Sequence, residues 1–404
     1  MAILCLSNGH GEDIIALRVI EQLQRCYPNL SIAALPLVGQ GHAYSSAGVS
    51  IVGPVQQMPS GGFIYMDPRQ LLRDLSGGLF GLTLAQYQVV REHAKAGGHI
   101  LAVGDIVPLL FAFLSGADYA FIGTAKSEYY LRDETRWLIN AKSSEKIWGS
   151  VYLPWERFLL SSARCRAVFA RDSLTSEILQ SLGVCCSDLG NPMMDALDPD
   201  CSDPNTLTVL LLPGSRSPEA QSNWKLILQA IEQLSFEKIT FLAALSPSLE
   251  KVAFESSLTE FAWQQEGDSR YQKENSQLIL SQSSYSHYLA ISNIAIAMAG
   301  TATEQFVGLG KPVISIVGKG PQFTYAFAEA QTRLLGCSVT LVGEPNQVPE
   351  ILKSIVNDPS LLAKIAKNGK RRLGNPGAAA RIAKHLGSIF DPTIPGYGIN
   401  THYK

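Results

Sequence analysis

The cysteines of this chain form no framework. There are seven, an odd number, and no two stand at the Cys-x-x-Cys spacing of a metal or redox site. Cys185 and Cys186 are adjacent, which excludes that geometry between them. The pattern reads as reduced thiols in a cytosolic protein. Charge is also scarce. Charged residues make up 17% of the chain, against about a quarter in an ordinary soluble domain. The net charge of -2 gives no reason to expect nucleic acid or another polyanion as a partner. The longest apolar stretch, residues 100–123, is interrupted by Asp105, Pro108 and Asp118. Burying those carboxylates in lipid costs too much for a membrane span. The opening Met1-Ala-Ile-Leu-Cys-Leu6 reads as a strand that meets a polar loop at once, not as a signal peptide. The expected location is therefore cytoplasmic. Neither half opens on a Gly-x-Gly-x-x-Gly fingerprint with an acidic residue at the right distance. A Walker lysine, a nucleophile elbow and a zinc motif are missing too. No metal and no resident cofactor are expected.

What is present is apolar and regular. Hydrophobic residues are 46% of 404, enough for two domains, each with its own core. In the first half, residues 2–6, 31–37, 100–103, 119–122 and 167–170 read as strands, and residues 13–27 as an amphipathic helix stopped by Pro28. Strands alternating with helical patterns predict βαβ units and a parallel sheet. Asp198-Pro-Asp-Cys-Ser-Asp-Pro-Asn205 breaks the pattern and reads as a linker. Beyond it, strands are expected at 207–212, 238–245, 277–280, 294–298 and 312–317, with a helix over 219–234. The domain reading is 1–200, then 206–377, then a last helix and tail over 378–404 that packs back on the first domain. The fold class is α/β, with two Rossmann-like domains facing across a cleft.

The most informative segment is Ala299-Gly-Thr-Ala-Thr-Glu-Gln-Phe-Val-Gly-Leu-Gly-Lys-Pro-Val-Ile314. It leaves an apolar strand through a tight Gly300-Thr301 turn and enters a helix. A helix starting on small residues offers unpaired N–H groups and a positive dipole end, a seat for a diphosphate. Gly300, Thr301, Ala302 and Thr303 are the candidate phosphate contacts. Glu304 and Gln305 follow in the first turn. They point about 100° apart, so one of the two reaches a ribose diol. Gly214-Ser215-Arg216 occupies the matching strand end earlier in the same half, where Arg216 can pair with a diphosphate. Lys319, Gln322 and Phe323 follow the next strand, Lys319 as a phosphate contact and Gln322–Phe323 as a cover over the ligand. This resembles the donor-site pattern of nucleotide-sugar glycosyltransferases. The cluster Lys364, Lys367, Lys370, Arg371 and Arg372 reads either as a solvated helix face or as an anion contact.

The first half carries the candidate acceptor chemistry. Ser7-Asn-Gly-His-Gly-Glu-Asp13 joins the first strand to the first helix, with His10 between Gly9 and Gly11. Glycines there allow a substrate to approach closely, and an imidazole suits proton transfer near neutrality. Asp13 is either a helix cap or part of the site. Asp105 ends a buried strand and needs a partner or a function. It is the base itself, an orienter of His10, or a cap. Gly61-Gly-Phe-Ile-Tyr-Met66 and Gly77-Gly-Leu-Phe-Gly-Leu82 are glycine-rich and apolar. They read either as core helix and turns or as an acyl-chain or membrane-surface site with Phe63 and Tyr65 on the acceptor.

Together these residues resemble the lipid-A-disaccharide synthase family, particularly its related branch, over almost the whole length. The carriers are the opening loop with Asp13, Leu37-Val-Gly-Gln-Gly41, Asp105, Leu189-Gly-Asn-Pro-Met-Met-Asp-Ala-Leu197, Leu212-Pro-Gly-Ser-Arg216, Ala299-Gly-Thr-Ala-Thr303 and the segment 321–325. The glycine-flanked His10 is also similar to the loop of lipid-linked N-acetylglucosamine transferases and galactolipid synthases, where such a histidine is the base. The family's ribose glutamate falls on Gln305. The resemblance implies a GT-B fold and a metal-independent, inverting transfer of a sugar, in that family an acylated glucosamine, from UDP to a lipid-linked acceptor. It also implies peripheral attachment to the inner face of a membrane. A homodimer stays open. So do two other activities, a UDP-sugar 2-epimerase and a non-catalytic binder of sugar nucleotides or lipids.

Overall fold

A computed structural model describes residues 2–56, 79–139, 143–198, 201, 203, 207–234, 238–318, 320 and 322–390. The chain divides into two compact units, Met1–Asp195 with Pro376–Lys404, and Ala196–Asn375. Phe63, Tyr65, most of the glycine-rich stretch 58–82, Lys319 and the tail 397–404 lie outside the described residues.

In the first unit the strands are β1 (Ala2–Ser7), β2 (Ser31–Pro36), β3 (Ser50–Ile51), β4 (His99–Gly104), β5 (Tyr119–Gly123), β6 (Cys165–Phe169) and β7 (Cys186–Ser187). Among the described residues they form one sheet in the order β3-β2-β1-β4-β5-β6-β7, and every pairing is parallel. The strands read as unbroken apolar runs because helices cover both faces. Leu4, Leu6, Ile100, Ala102, Tyr119 and Phe121 are all buried in the resulting core. The stretch that looked longest and most apolar resolves into β4, a helix Ile106–Ser115 and β5. No described helix is long and apolar enough to cross a membrane.

The first helix differs from expectation. It spans His10–Cys26 and so starts three residues early. Gly9 adopts φ 145°, which compresses the turn to Asn8 and Gly9, and the Asp13 amide already donates to Gly9 at 2.8 Å. His10 is therefore the first helical residue rather than the middle of a loop. Late in the chain, the helix Ala378–Phe390 packs on His10–Cys26. Gly387 makes that approach possible, since a Cβ there would fall 2.1 Å from the Tyr27 ring. Asp195 fastens the start of this last helix. Its carboxylate accepts from the amides of Gly377, Ala378 and Ala379 at 2.5, 3.2 and 2.7 Å.

In the second unit the strands are β8 (Thr208–Leu212), β9 (Thr240–Ala244), β10 (Gln264–Gly267), β11 (Arg270–Lys273), β12 (Ser276–Ser281), β13 (Ile294–Ala297), β14 (Val313–Ile316) and β15 (Val339–Val342). Their order is β10-β11-β12-β9-β8-β13-β14-β15. The six strands from β12 to β15 run parallel, and β10 and β11 extend the edge antiparallel. Val209, Leu211, Trp224, Phe241, Ile296 and Ile314 share the core. Residues just after Ala196 lie along this unit: the Asp198 amide donates to Ser286 Oγ at 2.9 Å and the Cys201 amide to Ala290 at 3.2 Å.

Candidate functional site

Ligands of open parallel sheets bind outside the carboxyl ends of the strands, where the strand order reverses. In the second unit that point lies between β8 and β13. The two strands end on the segments singled out by sequence, Pro213-Gly214-Ser215-Arg216 and Ala299-Gly300-Thr301. The segments adjoin. The Met298 amide donates to Leu212 at 2.8 Å. Gly214, at φ 103°, leaves room where a Cβ would sit 3.2 Å from the Met298 carbonyl.

Gly300 is the N-cap of the helix Thr301–Gly308, and no side chain caps it. The first helical bond is the Glu304 amide to Gly300, at 3.2 Å. The N–H groups of residues 301–303 therefore have no intrahelical acceptor. Several other helices, among them His10–Cys26 and Glu219–Glu232, also start without a side-chain cap; what gives this start its weight is its place at the strand-order reversal of the second unit. An uncapped helix N-terminus is chemically an anion seat, and the turn that adjoins this one carries Arg216. Arg216 is half-buried, and desolvation lowers its pKa while the Glu219 charge opposes that shift.

The individual side chains sort themselves by burial. Thr301 is exposed, and Ala302 and Glu304 are half-buried. Thr303 is enclosed, its hydroxyl donating to Ala299 at 2.7 Å, so it can offer a ligand only its backbone. Gln305 is 6% exposed, and its Oε1 accepts from the Tyr285 hydroxyl at 2.6 Å. Phe323 corrects the sequence reading. Its ring is 4% exposed and packs at 5.5 Å from Phe327 in the core, so it cannot cover a ligand. Gln322 is exposed. Sequence reasoning missed Tyr285, Glu219, Asn223 and Gln331. Gln331 lies 4% exposed and donates to Ala299 and Gly300 at 3.1 and 3.3 Å from beneath the turn. No local signal marks these residues, since each meets its partner only through the tertiary fold.

In the first unit the strand order reverses between β1 and β4. His10 stands exposed at the end of β1. Glu12 lies against the ends of both strands: a Cβ on Gly9 would meet its Oε2 at 3.0 Å, and one on Gly104 its Cγ at 3.5 Å. Thr124, after β5, donates to Glu12 Oε1 at 3.3 Å. Asp105 caps the helix Ile106–Ser115, accepting from the Val107 amide at 2.8 Å. Gly11 is an ordinary helical residue without positive φ, so only Gly9 supplies backbone freedom. Asp13 is not a cap. It is 3% exposed and accepts from Ser7 Oγ at 2.5 Å, while Tyr44 donates to Ser7 at 2.8 Å. Burial raises the Asp13 carboxyl to about 7, against the lowering effect of Ser7. Its enclosure keeps it from touching a substrate directly.

No protein-family model matches the chain, and no curated protein matches it. Solved structures do. The calicheamicin glycosyltransferase CalG4 superposes with a TM-score of 0.62 at 14% identity, over 98% of this chain and 99% of that one. MurG of Acinetobacter baumannii gives 0.57 at 11% identity, over 96% and 99%. UDP-GlcNAc 2-epimerase of Neisseria meningitidis, solved with UDP-GlcNAc, gives 0.54 at 17% identity, over 96% and 100%. At such identities the likeness is one of architecture. The chain has the GT-B fold, two Rossmann-like units in one polypeptide.

Proposed function

We propose that this protein is a metal-independent, inverting glycosyltransferase that moves a sugar from a UDP-sugar to a lipid-linked acceptor. One observation carries the reading: the uncapped start of the helix Thr301–Gly308 adjoins the turn bearing Arg216, at the strand-order reversal of the second unit. On this reading the amides of residues 301–303 and the Arg216 guanidinium hold the pyrophosphate. They stabilise the charge that grows on departing UDP, a task that does not then need a metal. The ribose diol falls to Glu304, a half-buried carboxylate, or to Gln305, whose carbonyl oxygen Tyr285 already engages.

The acceptor hydroxyl attacks the anomeric carbon from the face opposite UDP, which inverts the configuration. His10 is the preferred base. It is exposed at a strand end, whereas Asp105 already serves as a helix cap. Lipid as acceptor is supported by exposed apolar side chains on three helices that touch in series: Phe80 and Leu84, Leu110 and Leu114, Trp155 and Phe158. A lipid chain would need such exposed apolar surface to dock on. On this reading the protein works at a membrane surface, and an acylated glucosamine is the sugar to try first.

The test is turnover of UDP-sugars with and without lipid acceptors, in EDTA. Acceptor-dependent release of UDP supports the proposal. Conversion of UDP-N-acetylglucosamine without an acceptor would instead identify an epimerase, an activity found on this same fold. Tight UDP binding with no turnover would leave a non-catalytic binder.

A further inference from the structure

Glu219 opens the helix Glu219–Glu232 three residues after Arg216 and is only 8% exposed. Its Oε1 accepts from two backbone amides that follow β14, Gln322 at 3.1 Å and Phe323 at 2.6 Å. The fit is tight. A Cβ on Gly320 would fall 2.3 Å from that oxygen. Four residues on, on the same face of the helix, Asn223 is 2% exposed and donates to the Pro213 carbonyl at 3.0 Å. Its Oδ1 lies 3.4 Å from where a Cβ on Gly318 would be. One helix face thus reaches the strand ends of both β8 and β14, which flank β13 and the Gly300 turn.

We propose that Glu219 is a positioning residue of the nucleotide site: its carboxylate latches Gln322 and Phe323 to the start of the helix that follows the Arg216 turn, fixing the loops around the phosphate seat before ligand arrives. The proposal rests on the nucleotide reading above. A double acceptor aimed at two consecutive amides is a strong constraint, because charge-assisted hydrogen bonds are roughly twice as strong as neutral ones. It also removes two backbone donors from solvent. Preorganised loops bind more tightly because less ordering remains to be done on association.

The experiment pairs hydrogen exchange at the Gln322 and Phe323 amides in ligand-free protein with calorimetric titration of UDP. Glu219→Ala should speed exchange at both amides at least tenfold and weaken UDP binding by about tenfold (about 1.4 kcal/mol). Glu219→Gln keeps an acceptor oxygen, and should restore most of the protection and most of the lost affinity. If Glu219→Ala misfolds, Gly320→Ala pushes against the same carboxylate without altering the helix, and should produce both losses. Unchanged exchange in folded Glu219→Ala or Gly320→Ala overturns the latch. Faster exchange with unchanged UDP affinity overturns its role in the site. If wild-type protein does not bind UDP, the nucleotide reading falls, and with it the positioning role, while the exchange data still decide whether the latch exists.

Discussion

The Ser7 hydroxyl donates to the Asp13 carboxylate across 2.5 Å, inside the first unit and out of contact with solvent. Tyr44 completes the chain by donating to Ser7. The three residues tie β1, the first turn of the helix His10–Cys26 and the short helix His42–Ser46 together. Burial is the dominant influence on Asp13, and its carboxyl titrates near 7 rather than 3.8.

Linkage gives the sign. An acid whose folded pKa is raised binds a proton more tightly in the folded state, so the contribution of Asp13 to stability is greatest below pH 3.8 and falls as pH rises toward 7. The whole effect is at most about 4 kcal/mol. Asp13→Asn should flatten this part of the profile and leave the protein more stable than wild type at pH 8. Urea melts at pH 5 and pH 8 measure it. A wild-type stability that rises over that interval by the same amount in both proteins would refute the assignment.

The central strands of the two sheets were legible because they are buried on both faces, whereas the short or peripheral strands β3, β7, β11 and β15 were not read. Ile294–Ala297 and Thr208–Leu212 are fully apolar or nearly so, and the reading missed their ends by one residue. The hairpin strand Gln264–Gly267 was invisible, since its four residues are exposed and polar and are held only by pairing with β11. The switch-point turns were legible from glycine and context. Their supports were not. Glu219 meets Phe323 across 104 positions, and Tyr285 meets Gln305 across 20. Asp13 read as either a cap or part of the site because the role of Gly9 in shortening the turn depends on a backbone angle that sequence does not display.

His99 and His385 carry a second pH effect of opposite sign. His99 stacks on Phe390 with centroids 4.5 Å apart, and His385 meets Phe169 edge-on at 5.5 Å. Desolvation lowers both pKa values, and for His99 the charges of His93, Arg166 and the amino terminus add to it while Asp118 opposes it. A histidine with a lowered folded pKa stabilises above its unfolded value of 6.5 and loses that contribution as pH falls below it. In an Asp13→Asn background, which removes the opposing slope, the thermal midpoint should drop between pH 7 and pH 5. His385→Phe should lessen the drop. An unaltered drop would show that the terminal helix is not its source.

Asp195 holds the terminal helix by the amides of Gly377, just before it, and of its first two residues, 182 to 184 positions further along the chain. It acts as an N-cap delivered from a distance. Losing a cap costs about 1–2 kcal/mol, so Asp195→Ala should destabilise the first unit by that amount and raise hydrogen exchange over residues 378–382. Asp195→Asn retains an acceptor and should cost less. Equal losses in the two variants would argue against capping.

Calorimetric titration of UDP into wild-type protein, Arg216→Ala and Gly300→Trp tests the phosphate seat most directly. Wild type should bind. Removing the guanidinium should weaken binding at least tenfold, in line with about 1.5–3 kcal/mol for a hydrogen bond to a charged group, and an indole at the helix start should abolish it. Affinity that survives both changes, in variants that melt like wild type, would contradict the phosphate seat assigned to these turns.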